Sequence, residues 1–287
     1  MTIQNKIDRA RAAFEQISDY TQEQVDKLVY ESAKIIYENA EPLAKMAVEE
    51  TRLGSYEDKI GKNTGTAAAF WDYLKDKKSV GIINEDPSIG LIEAAHPIGV
   101  IGAITPATNP TVTPLGNFMH ALKGKNAIII SPAPRAEKTS TKTVDLIREA
   151  LAKNGAPEDL IQIVNDVTIE KSQELMANCD LVIATGGSGL TKAAYSSGTP
   201  AYGVGPGNPP VIIDRGYDLK DAAENSIIAV ASDNGILCDG DNLLLYPQDL
   251  EAEFFEEFRK AGAVVFDNAD DVAKFRDALF ENGKVRP

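Results

Sequence analysis

Between residues 100 and 197 the chain alternates short apolar runs with amphipathic stretches, and that alternation constrains the fold more than any other feature. Val100-Ile101-Gly102-Ala103-Ile104, Ala127-Ile128-Ile129-Ile130, Ile161-Gln162-Ile163-Val164 and Leu181-Val182-Ile183-Ala184 each read as a strand, being short, nearly continuous apolar runs. Residues 113–123, 139–154, 170–178 and 190–197 read as the helices that separate and follow them. Strands apolar on both faces must be covered on both, and a helix between two such strands makes the connection a right-handed parallel crossover. The pattern predicts an α/β fold with a doubly wound parallel sheet, the layout of a nucleotide-binding domain.

Ahead of that region, Ile3, Ile7, Ala10, Phe14 and Ile17 recur at helical spacing over 3–18. No flexible linker separates this helix from the rest of the chain, so it reads as a cover for the neighbouring domain rather than a targeting tag. Thr21-Gln22-Glu23-Gln24 forms a capping box that opens a second helix, carried to about Leu53 with an interruption at Pro42. Gly54-Ser55 ends it, and a third helix runs through Ala67-Ala68-Ala69-Phe70-Trp71 to Leu74. Residues 80–95, with a turn at Glu85-Asp86-Pro87-Ser88, read as a hairpin or a pair of extended arms. After Gly207 the expected elements are a cysteine-bearing strand, a helix near 250–261, a strand at 263–266 and a helix near 270–280. The expected organisation is therefore a nucleotide-binding domain over 1–79 and 97–206, an oligomerisation arm at 80–96, and an incomplete second α/β domain at 207–287.

A formal net charge of -14 opposes nucleic acid and anionic membranes as partners, since both require a basic face. No apolar run nears the length of a bilayer span, and the amino end lacks a cationic segment followed by an apolar one. Cys179 and Cys238 are the only cysteines, a usage that fits free thiols in a reducing, cytoplasmic setting. His96 and His120 form no metal-spaced pair with either, so no metal site is expected.

In doubly wound sheets ligands bind where the strands end, which directs attention to three turns. They are Thr105-Pro106-Ala107-Thr108-Asn109-Pro110, Ser131-Pro132-Ala133-Pro134-Arg135 and Thr185-Gly186-Gly187-Ser188-Gly189. The last joins a strand to a helix with small residues that let backbone N–H groups approach a phosphate, though a tight turn alone could require the same glycines. Asn109 is a turn former by type, and beside a reacting carbonyl its amide can also stabilise an oxyanion. Cys238 follows Asp233-Asn234-Gly235 and precedes Leu243-Leu244-Leu245-Tyr246, a turn-to-strand junction where a thiol can face a cleft. A lone cysteine is more often a small buried hydrophobe, as Cys179 before Asp180-Leu181 is read to be.

Four stretches together carry a resemblance. Residues 97–111, ending Ile104-Thr105-Pro106-Ala107-Thr108-Asn109-Pro110-Thr111, residues 125–136, ending Ile130-Ser131-Pro132-Ala133-Pro134-Arg135-Ala136, Gly203-Val204-Gly205-Pro206-Gly207-Asn208-Pro209-Pro210 and Asp233-Asn234-Gly235-Ile236-Leu237-Cys238 resemble, in order and spacing, successive motifs of the CoA-acylating aldehyde dehydrogenases. The resemblance implies that Cys238 is a nucleophile that adds to an aldehyde carbonyl, yields a hydride to NAD or NADP, and passes the acyl group from a thioester to coenzyme A. It implies that the Asn109 amide and the backbone N–H of Cys238 hold the oxyanion. It also implies that the cofactor rests on Gly186, Gly187 and Ser188 and against Thr105, Pro106, Ser131 and Pro132. Hydrolytic members of the superfamily place a glutamate where Val204 stands, and a valine cannot activate water, which favours transfer to CoA over release of a free acid.

The chain also departs from that pattern. Ser232 replaces a common aromatic residue, and the acidic stretch Asp239-Gly240-Asp241-Asn242 replaces a smaller, less acidic one. Family members run to about 450 residues or more, as two full α/β domains require, so the resemblance covers roughly the amino-terminal three fifths of their length. Two function classes are consistent with these residues: an NAD(P)-dependent acylating dehydrogenase acting on a small aldehyde or acyl-CoA, expected as a homo-oligomer, or a nucleotide-binding or assembly module that keeps the fold without turnover. Acetaldehyde, propanal, a semialdehyde and a sulfonated aldehyde all stay open as substrates, as does NAD against NADP.

Overall fold

The computed structural model describes residues 1–266 and 268–285 and resolves the chain into two compact units, Met1–Pro206 and Gly207–Pro287. The first begins with α1 (Ile3–Gln16), α2 (Gln22–Glu38), α3 (Ala40–Thr51) and α4 (Tyr56–Leu74). Thr21 opens α2 as the capping box predicts. Its hydroxyl accepts from Gln24 N, and the Gln24 carboxamide oxygen accepts from Thr21 N at 2.8 Å, so each of two amides without a helical acceptor is satisfied by the other residue's side chain. The interruption expected at Pro42 falls instead at Asn39, whose carboxamide turns back to donate to Ile35 O at 2.8 Å. Pro42 lies in the first turn of α3, where a missing N–H costs no helical bond.

β1 (Gly81–Asp86) and β2 (Leu91–Ala95) form an antiparallel hairpin that reverses over Pro87 to Gly90, slightly later than the expected turn. Then β3 (Val100–Thr105), α5 (Val112–Lys123), β4 (Ala127–Pro132), α6 (Glu137–Lys153), β5 (Ile161–Ile163), α7 (Ile169–Asn178), β6 (Leu181–Thr185), α8 (Ser188–Tyr195) and β7 (Ala201–Val204) succeed one another, strand and helix in turn. The strands are parallel in the order β5-β4-β3-β6-β7, which makes the sheet doubly wound as the alternation predicts. Right-handed crossovers place α5 and α6 on one face, with α2 against them, and α7 and α8 on the other, with α1 against α7. Covered on both sides, β3 and β4 are buried from end to end. Cys179 packs so tightly on β3 that a Cβ at Gly102 would stand 2.8 Å from its sulfur.

In the second unit β8 (Pro210–Ile212) lies parallel to β9 (Leu243–Leu245), joined through α9 (Leu219–Ala231). Neither β8 nor α9 is anticipated from sequence. The buried stripe of α9 is Leu219, Ala222, Ala223 and Ser226, correct in helical spacing but too small and polar to stand out. Two expected helices appear as α10 (Glu251–Lys260) and α11 (Ala269–Leu279). The strand expected at 263–266 does not form: Val264 is 78% and Phe266 43% exposed, and no strand among the described residues pairs with them. Cys238 is likewise not on a strand but in the loop between a 3₁₀ turn, Ser232–Gly235, and β9. Among the described residues, no helix is long and apolar enough to cross a membrane.

Candidate functional site

The chain runs outward from β3 to β4 and β5, then returns to β6 on the other side of β3, so the ends of β3 and β6 flank the point where the sheet reverses. Three of the predicted turns meet there. Thr105 pairs in register with Pro132, Ala133 N donates to Thr105 O at 2.9 Å, and Ile104 lies opposite both Ser131 and Ala184. The Thr105 hydroxyl is buried with no hydrogen-bond partner among the described residues. Ser131 is fully buried, with its Oγ 2.9 Å from Ser172 Oγ on α7.

Gly186 N donates to Val204 O at 3.0 Å, which anchors the glycine turn to the edge strand. A Cβ at Gly187 would meet nothing within 4 Å, so the turn faces open space beside Ser188, the first residue of α8. First-turn amides of a helix have no helical acceptor and carry the positive end of its dipole. The open turn beside those amides has the chemistry to receive an anionic group such as a pyrophosphate.

The loop from Thr105 to Val112 is held from three sides. Thr113 N donates to Asn109 O at 3.3 Å, the Ser140 hydroxyl on α6 donates to Pro110 O at 3.0 Å, and the Lys59 ammonium on α4 donates to Thr108 O at 3.2 Å. Within it, Asn109 Nδ2 makes a long 3.4 Å contact with Thr108 Oγ1, and Oδ1 is buried without a partner among the described residues. Lys59 escapes a reading that leaves lysines on the solvent face. The available signal is its place on α4, where Lys59, Asn63 and Ala67 recur every four residues along the buried stripe.

In the second unit, Asp233 and Asn234 take left-handed φ values of 52° and 57°, followed by Gly235 at 72°. Asp, Asn and Gly are the residues that tolerate this backbone, so the sequence specifies a tight reversal just before the cysteine. Asn242 N then donates to Pro209 O at 3.3 Å, and a Cβ at Gly207 would stand 2.4 Å from Cys238 O, so only glycine lets the two backbones approach. The result is an exposed Cys238. Cys179 is its opposite: buried, with Sγ donating to Leu181 O at 3.3 Å and its pKa raised by desolvation. Val204 is exposed at the end of β7. His96 is exposed, and His120 Nδ1 lies 2.7 Å from Gly116 O. The described residues hold no group of three or more His, Cys, Asp or Glu side chains suited to a metal ion.

Residues 1–273 match the model of the aldehyde dehydrogenase family. A succinate-semialdehyde dehydrogenase (acetylating) from Clostridium kluyveri is 48% identical over 285 residues, which are 99% of this chain and 63% of that protein. The crystal structure of an acetylating aldehyde dehydrogenase from Geobacillus thermoglucosidasius superposes with a TM-score of 0.93 at 38% identity, covering 99% of this chain and 63% of the other. A propionaldehyde dehydrogenase from Rhodopseudomonas palustris, solved with bound CoA and an acylated cysteine, superposes with a TM-score of 0.86 at 30% identity over 98% of this chain and 64% of the other. The chain thus spans less than two thirds of the length of these relatives.

Proposed function

Since this chain belongs to the aldehyde dehydrogenase family, we propose that it serves the NAD(P)-dependent, CoA-acylating oxidation of a small aldehyde and, in reverse, the reduction of an acyl-CoA. The exposed thiol of Cys238, on a loop shaped by three successive left-handed residues, is the observation that carries this reading. As a thiolate, Cys238 adds to the aldehyde carbonyl and later carries the acyl group as a thioester. The Asn109 amide and the Cys238 backbone N–H donate to the oxygen as negative charge gathers on it. A bound nicotinamide would supply the hydride acceptor, and Gly186, Gly187 and Ser188 would hold its pyrophosphate, with Thr105, Pro106, Ser131 and Pro132 alongside. Val204 offers no proton acceptor, so water is not activated and the thioester lasts until the CoA thiol attacks it. That attack forms the acyl-CoA and returns the Cys238 thiolate.

The hairpin of β1 and β2 exposes Ile82, Ile89, Leu91 and Ile92, apolar surface suited to pairing with a second copy in a cytoplasmic homo-oligomer. Gel filtration of the purified chain tests that assembly. Intact-mass spectrometry after mixing with acetyl-CoA tests the chemistry. One acyl adduct mapped to Cys238 and absent from Cys238→Ala is expected, with CoA-dependent NADH formation when an aldehyde is supplied. A chain that binds NAD+ yet takes no acyl group from aldehyde or acyl-CoA overturns the proposal and leaves a nucleotide-binding module.

A further inference from the structure

An asparagine that stabilises an oxyanion must present its NH2 rather than its oxygen, and the carboxamide is nearly the same shape either way round. What surrounds Asn109 decides between the two. Lys59 is 3% exposed, and its ammonium already holds the carbonyl of the preceding residue, Thr108. Beside it lies a recess of about 10 Å³ whose lining includes Lys59, Asn63, Thr108, Asn109 and Thr111. Two oxygens of that lining, Asn109 Oδ1 and Thr111 Oγ1, are buried without a hydrogen-bond partner among the described residues, and Thr111 is only 2% exposed.

Buried oxygens in native proteins seldom go unpaired, and a recess of this volume with polar partners in its lining accommodates about one water. An ammonium has donors and no acceptor, so a water beside it accepts from the lysine and keeps both hydrogens to give. We infer that Lys59 is a positioning residue for Asn109, an assignment that rests on the acyl-transfer function proposed above. One water accepts from Lys59 and donates to Asn109 Oδ1 and Thr111 Oγ1. The carboxamide is thereby fixed with Oδ1 inward and Nδ2 toward the reacting carbonyl. Reversed, its two N–H groups would face the ammonium charge and Oδ1 would meet the forming oxyanion.

Two measurements test this on the full chain. The side-chain amide signals of Asn109, identified in ¹⁵N–¹H spectra by their loss in Asn109→Asp, are compared among variants. Lys59→Met and Thr111→Val each move that pair, and Lys59→Arg, which keeps a donor, restores it. Thr111→Val preserves shape and carries the test alone if Lys59→Met does not fold. In parallel, Lys59→Met slows acylation of Cys238 at saturating acyl-CoA by about tenfold to a hundredfold, less than or equal to the loss of an oxyanion donor, with the half-saturating concentration unchanged. Lys59→Arg recovers most of the rate. Asn109 signals that keep their wild-type positions in both Lys59→Met and Thr111→Val overturn the inference. A wild-type chain that is never acylated overturns the proposed function instead, and the amide signals still decide the role of Lys59.

Discussion

The two thiols of this chain are chemically the same group in opposite surroundings. Cys179 closes α7 against Gly102 of β3, where desolvation disfavours the thiolate and so raises its pKa. Cys238 is exposed. Iodoacetamide added to the native chain at mild alkaline pH therefore modifies one site, mapped by peptide mass to Cys238, and reaches Cys179 only after denaturant is added. Equal labelling of both in the native state would contradict the burial on which this rests. One residue further on, Asp180 has its pKa moved by opposing influences: burial pushes it up, while the Arg11 guanidinium at 2.8 Å and Val100 N at 2.7 Å pull it down and prevail. A carboxylate held below its unfolded value of about 3.9 stabilises the fold above that pH, and the contribution is lost as pH falls through the lower, folded pKa. Asp180→Asn is expected to cost about 1 kcal/mol at pH 7, a modest figure because the ion pair is partly exposed to solvent, and to cost progressively less below pH ~4. Thermal melts of both proteins at pH 7 and pH 3 measure the difference, and a gap that widens in acid reverses the sign.

At the level of elements, α6 shows how a helix can depend on a residue far away in sequence. Its N-cap position is Ala136, which offers no side-chain acceptor. Glu50 of α3 supplies one instead, accepting from Lys138 N and Thr139 N at 2.8 Å each and from Thr139 Oγ1 at 2.6 Å. Glu50→Ala is expected to destabilise the first unit by about 1–2 kcal/mol, since it orphans two amides at a helix start, with Glu50→Gln costing less because an acceptor oxygen remains. Urea titrations of the three proteins give that order, and a Glu50→Ala chain as stable as wild type excludes the cap. The cap is invisible in sequence because its two halves are separated by most of the helical layer. The sheet is legible because β3 and β4 are covered on both faces and so must be apolar throughout. The turns at their ends are legible because proline, glycine and asparagine there have backbone reasons. In the second unit α10 and α11 are legible, but α9 is not, because it buries alanines and a serine, and Val264-Val265 misleads, having strand-forming residues but no strand beside it among those described. Lys59 goes unread for a related reason: its spacing with Asn63 and Ala67 can place it on the buried stripe of α4, but the carbonyl that its ammonium meets is supplied by a distant loop.

Across the whole molecule the two units differ in what holds them together. The first has a sheet covered by helices on both faces, while the second, 207–287, has a core of Ile213, Leu219, Ala222, Ala223, Phe254 and Phe258. Only one side of its two-stranded sheet is used, with Val211 and Leu244 against that core and Ile212, Leu243 and Leu245 exposed. A unit of this size and so small a core stands near the margin of independent stability. Heating should therefore give two calorimetric transitions, the earlier one belonging to 207–287. They can be assigned without dissecting the chain, because the single tryptophan, Trp71, lies on α4 and its fluorescence follows the first unit alone. Phe254 is the residue on which to test this: its ring stacks on Tyr246 at 3.9 Å and packs at a tilt on Phe258 at 4.4 Å, so Phe254→Ala removes the centre of the smaller core. Such a truncation costs about 3–5 kcal/mol, and at this size about 1 kcal/mol moves the midpoint by roughly 4–8 °C. The earlier transition is then lost from the calorimetric trace while the Trp71 transition keeps its midpoint; a Trp71 midpoint that falls with it means that the two units unfold as one.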